Sequence, residues 1–177
     1  MSDAGDIADP GPRPRYSQRP FPAYRYVPGV HAHPFRDPQG HSYGAERGPA
    51  PDPKWRPEDW RTLDDWLFGV DLFNAHYFWE AHEAWESLWS VVQRGTAPSL
   101  LLQGLIQISA ALLKAHTRTP AGVRVLSRDG LEKLRAVRSS TGSMMGLDVA
   151  QVIAAFTAYF ASNELPDLNE VPVLSLM

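Results

Sequence analysis

The sequence predicts an all-α protein, a compact bundle of about five helices with a Pro/Gly-rich N-terminal arm. Three observations carry that expectation. From Pro57 onward the apolar residues recur at helical spacing, with start and stop signals between the periodic stretches. No window alternates apolar and polar residues long enough to demand a strand, and no repeat of fixed period appears. Eleven of the 16 prolines and six of the 13 glycines fall within residues 1–54, whereas all six tryptophans lie between Trp55 and Trp89. At 177 residues and 44% hydrophobic, the chain suffices for one globular domain. The expected organisation is a partly disordered arm over residues 1–54, a helical domain over 55–164 and an extended tail over 165–177.

Each element has its own warrant. Dense proline removes backbone donors, so Met1 to Pro22 reads as a disordered or polyproline-like tail. Residues 23–44 combine four aromatics and three histidines with turn formers, a composition suited to lying on a surface. Pro57 with Glu58 and Asp59 opens the first helix, whose stripe of Trp60, Leu63, Leu67 and Val70 runs to about Ala75. The second spans Tyr77 to about Val92. Gly95 and Pro98 break it from the third, which runs to about Thr117. Thr119 and Pro120 start the fourth, with Val123, Leu126, Leu131 and Leu134 on one face and Gly130 as a weak point worth roughly 1 kcal/mol. Asp148 with Gln151 three residues on starts the fifth, which carries Val152, Phe156 and Phe160. Helices two and three hold the densest apolar supply and are expected to form the central pair.

Composition also excludes chemistry. Without cysteine there are no disulfides, thiolate metal sites or thiol nucleophiles. A net charge of −3 provides no basic footprint for nucleic acid, and tryptophans at helical spacing without basic interleaving read as core. The most apolar run, Leu100 to Leu113, is interrupted by Gln103, Gln107 and Ser109, and the N-terminus is acidic. The expectation is a cytoplasmic protein that neither binds nucleic acid nor spans a membrane.

The remaining candidates are histidines and carboxylates. A helical wheel over helix two puts Phe78, Ala81, Trp85, Leu88 and Trp89 on one face and Glu80, Glu83 and Ser87 on the other. His82 and Glu86 flank the apolar stripe one turn apart, so both are expected to be at least partly buried, and His116 of helix three points toward apolar neighbours. One reading is a divalent metal site with His82, Glu86 and His116 as ligands and Glu83 as general base. The other is a hydrogen-bonded network of the same side chains. His82-Glu83-Ala84-Trp85-Glu86 stops short of the His-Glu-x-x-His zinc pattern, and Trp79 and Leu113 stand where a di-iron bundle needs glutamates. In the arm, His33, Asp37 and His41 are spaced to complete a metal or anion site over the bundle, or to form a solvated turn. Small residues Gly104, Ala111 and Ala115, with Ile108, form a seam along which another helix can approach closely.

The segments Leu72-Phe73-Asn74, Tyr77-Phe78-Trp79-Glu80-Ala81-His82-Glu83-Ala84-Trp85-Glu86-Ser87-Leu88-Trp89 and Leu102-Gln103-Gly104-Leu105-Ile106-Gln107-Ile108-Ser109-Ala110-Ala111 resemble the bacterial and archaeal family called domain of unknown function 309. The resemblance covers about Leu63 to Arg135 and implies a small all-helical domain, with His82, Glu83, Glu86, Gln103, Gly104 and Gln107 on signature positions. It implies no activity. The functional expectation is therefore a helical module that binds a small molecule or protein through a His/Glu network, the alternative being a hydrolase with one divalent metal ion. The wide apolar arc of helix three also suits a homo-oligomer interface.

Overall fold

The computed structural model describes residues 9–45, 50–137, 142–162 and 164–177. The first eight residues of the expected disordered tail lie outside that set. Five α-helices form the bundle: α1 (Asp64–Asn74), α2 (Phe78–Val91), α3 (Ala97–His116), α4 (Pro120–Ala136) and α5 (Val149–Tyr159). Their core is continuous, with Trp66, Phe73, Trp85, Leu101, Leu105, Ile108, Leu112 and Leu134 shut off from solvent. Phe73 is its aromatic junction, with ring centroids 5.7 Å from Phe78, 5.9 Å from Trp85 and 5.9 Å from Phe156. Burying each such side chain contributes about 1.5–3 kcal/mol before ordering entropy is subtracted.

The expected first helix is two pieces. Pro57–Thr62 is a 3₁₀ helix, and Leu63, at φ −83° and ψ 90°, separates it from α1. The break turns Trp60 toward Gly146, where an added Cβ would lie 2.6 Å from the indole ring. Gly146 belongs to a feature absent from the sequence reading, a two-residue ladder pairing β1 (Ser143–Met144) with β2 (Leu147–Asp148). Met145 and Gly146 both adopt positive φ, which is the backbone of a tight hairpin turn. Trp66 Nε1 donates to Met145 O at 3.1 Å, fixing this hairpin on α1.

Helix ends follow the expected chemistry with two refinements. Asp148 accepts a hydrogen bond from Gln151 N at 2.9 Å and so caps α5. Thr119 makes no such side-chain bond to α4. Instead α3 closes by bonds from Arg118 N to Ala115 O and from Thr119 N to Lys114 O, with Arg118 left-handed at φ 53°. The end of α1 repeats this pattern, His76 N bonding Phe73 O and Tyr77 N bonding Leu72 O, with His76 at φ 65°.

Packing places α3, not the α2–α3 pair, at the centre, because its most extensive contacts are with α4. Glycines allow that approach. A Cβ on Gly104 would lie 2.7 Å from Leu134 Cδ2, and one on Gly130 would lie 3.0 Å from Gly104 O. The helix-propensity cost of Gly130 is thus offset by α3–α4 contact, and the small-residue seam has α4 as its occupant. By length and composition alone α3 would be able to cross a membrane, but half of it is buried within the fold.

Buried His76 gives the fold an acid sensitivity. Burial, then the charges of Arg25 and Arg13, push its pKa down to about 4 from 6.5, against a smaller opposing effect of Asp9. A lowered folded-state pKa means that the unfolded chain binds the proton more readily. The contribution is therefore intact above about pH 6.5 and is lost as pH falls toward 4. His76→Asn, which tolerates the left-handed backbone, is expected to flatten the fall in urea midpoint between neutral pH and pH 5. An unchanged pH dependence would place the sensitivity in another group.

Candidate functional site

The site forms where the arm crosses α1 and α2. Within the arm no helix or strand appears among the described residues, as its prolines dictate. Yet residues 15–19 are firmly attached. Arg15 Nε (2.9 Å), Tyr16 N (2.8 Å) and Ser17 N (2.9 Å) all donate to the carboxylate of Asp71, whose side chain is fully buried in α1. Arg19 then pairs with Asp65 at 2.8 Å and lies 4.2 Å above the ring of Phe68, while Phe21 stacks on Tyr77 at 5.2 Å. This part of the expected free tail is anchored because α1 offers it a buried charge and an aromatic face.

Farther along, residues 24–42 fold over α2. Trp79 is the anchor, with Tyr26 at 5.0 Å, His33 at 5.6 Å and Phe35 at 5.8 Å around its ring. Tyr24 accepts from His41 N at 3.1 Å and donates to Ala32 O at 2.7 Å, holding the loop closed. A Cβ on Gly40 would overlap the carbonyls of His33 and Pro34, so this turn requires glycine. Asp37 is used in the turn, accepting from Gln39 N at 2.9 Å, and His33 packs on Trp79 with Nδ1 accepting from Phe35 N at 3.3 Å. Of the three arm candidates, His41 alone bonds α2. Its Nε2 is 3.1 Å from Glu80 Oε1 and its Nδ1 is 2.7 Å from Ser42 Oγ.

Glu80 is thus the residue the helical wheel misplaced. It was expected on the outward face, and it is only 6% exposed because the arm covers that face. Its Oε1 accepts from Tyr26 N at 2.9 Å as well as facing His41, while its buried Oε2 has no partner among the described residues. The one available signal was the aromatic density of residues 23–44, which implies a covered partner surface.

The other candidates divide. His82, Glu83 and Glu86 each bring a ligand atom within 4.8 Å of the others. His82 Nε2 lies 3.6 Å from Glu86 Oε2. Glu86 corrects the burial expectation: its side chain is 49% exposed. His116 is half-buried in the last turn of α3 and is not part of that cluster. Gln107 and Gln103 lie on α3, and the Cβ of Gln107 abuts Gly130 of α4.

Between arm, α1 and α2 lies an open cleft of about 1160 Å³. Among its described lining residues are six carboxylates, Asp52, Asp64, Asp65, Glu80, Glu83 and Glu86, against the single guanidinium of Arg19. Trp55, Trp79, Phe35 and Phe68 supply aromatic walls, and Leu72 and Leu88 apolar ones. Such a surface attracts cations.

The helices that frame this cleft match a known family model. Residues 66–126 resemble the domain of unknown function DUF309. The matched segment runs from α1 into the first half of α4, narrower than the Leu63 to Arg135 read from the residues. It contains Asp71, Glu80, His82, Glu83 and Glu86, whereas the arm that buries Glu80 lies outside the DUF309 segment. No curated protein matches the chain.

Proposed function

We propose that this chain is a ligand-binding helical module that holds a divalent cation at His82, Glu83 and Glu86. The observation that carries the reading is the convergence of one imidazole and two carboxylates within 4.8 Å on α2. One nitrogen and two oxygen donors suit zinc, manganese, iron or nickel, and leave positions for water or a ligand. Half-exposed Glu86 keeps the group reachable from solvent, and Glu83 and Glu86 also border the cleft. The metal-dependent hydrolase with His82, Glu86 and His116 as ligands loses support, since His116 stands apart and Glu83, its assigned base, is within the ligand group. Binding rather than hydrolysis is therefore the reading. It includes a cytoplasmic setting, in keeping with the burial of α3 in the bundle.

Elemental analysis of untagged protein purified without chelator tests it. About one zinc, manganese, iron or nickel ion per chain is expected, lost in His82→Ala with little change in stability because His82 is a partly exposed residue. Absence of metal, with no thermal shift when these ions are added, would overturn the proposal.

A further inference from the structure

We infer that the cleft also binds a small organic cation, an alkylamine or polyamine, through the unpartnered oxygen of Glu80. The carboxylate is nine-tenths buried, and Oε2 has no hydrogen-bond partner among the described residues although Glu80 lines the cleft. An uncompensated buried carboxylate oxygen is costly, so this position is built to gain from a donor that arrives with a positive charge.

The surroundings select the kind of cation. Both ring nitrogens of His41 are engaged, with Ser42 and with Glu80 Oε1, so the pocket around Glu80 does not offer the several oxygen or nitrogen ligands that a divalent ion needs. An ammonium requires only hydrogen-bond acceptors. Methylene groups behind it would meet Leu72, Leu88, Phe35 and Trp79, and the aromatic faces add cation–π attraction. Guanidinium-sized bulk already has a place in this cleft, where Arg19 spans Asp64 and Asp65 at 3.4 Å and 2.8 Å. This site uses a different carboxylate from the proposed metal group, so the two stand or fall separately.

Titration calorimetry on the full, chelator-treated chain with putrescine and spermidine tests the assignment, with 1,4-butanediol as the neutral isostere. Saturable binding of the amines and none of the diol is expected. Glu80→Gln, which keeps the acceptor for Tyr26 N, should weaken amine binding by about tenfold or more while His82→Ala leaves it within about twofold. Should Glu80→Gln not fold, Ala84→Arg, one turn along α2 from an unaltered Glu80, sets a tethered guanidinium against that carboxylate in competition with the amine and is expected to abolish binding as well. The inference is overturned if wild-type protein binds no amine at millimolar concentration, if the diol binds equally, or if binding survives these cleft variants. Metal retention in the amine-silent wild type would sink this inference alone, and amine binding by metal-free protein would leave it standing without the metal reading.

Discussion

Asp71→Ala is expected to release the N-terminal arm and to destabilise the protein by about 2–4 kcal/mol, since hydrogen bonds to charged groups contribute about 1.5–3 kcal/mol each and the freed arm regains some hydration. Three donors converge on this one carboxylate, two to Oδ2 and one to Oδ1, and the side chain is fully buried. Asp71→Asn should be nearly as damaging, because its amide would set a donor against arm groups that also only donate. The measurement is the urea midpoint, paired with limited proteolysis. Cleavage within residues 9–22 should accelerate in both variants. A stable Asp71→Asn protein with a protected arm would show that packing on Phe68 and Tyr77, not the carboxylate, holds the arm.

Asn74→Ala is expected to cost about 2–4 kcal/mol by leaving a buried N–H and a buried C=O without partners. Asn74 sits one turn beyond Asp71 on α1 and clasps the C-terminal tail from both sides: Nδ2 donates to Leu174 O at 2.8 Å, and Leu174 N donates to Oδ1 at 2.8 Å. Leu174 is 1% exposed, so water cannot replace these bonds without moving the tail. Asn74→Asp should be at least as destabilising, as it sets a carboxylate oxygen against a carbonyl. Hydrogen exchange should rise over residues 171–177 and at the hairpin, where Met177 N donates to Gly146 O at 2.9 Å. The arm and tail also touch, since Leu176 N donates to Tyr16 Oη at 3.0 Å. The Asp71→Ala, Asn74→Ala double variant is therefore expected to cost less than the sum of the single ones. Simple additivity in urea denaturation would show that the termini are held independently.

Local chemistry made much of this molecule legible. Apolar spacing located all five helices, and Asp148 with Gln151 marked a real cap. The small-residue seam containing Gly104 does receive a neighbouring helix. The pairing of His82 with Glu86 followed from their i, i+4 positions. Other features were hidden for specific reasons. A helical wheel assumes one covered face, so it sent Glu80 to solvent, when a second layer of irregular chain covers the opposite side. It equally overestimated Glu86. Leu63 reads as one more apolar residue in a stripe, and nothing local says that the chain bends there to lay Trp60 on Gly146.

What the sequence determined by itself was the helical class, the element order, the acidic and cysteine-free chemistry and the likeness to DUF309. Those depend on spacing, propensity and residue type, which are properties of neighbours along the chain. Only the tertiary structure decided that Asp71 and Asn74 anchor the arm and the tail, that His116 lies outside the group of His82, Glu83 and Glu86, and that Glu80 is buried with Oε2 unpartnered among the described residues. These depend on contacts across dozens of residues, where helix crossing geometry and the path of an irregular arm choose which polar groups lose water and which partners replace it.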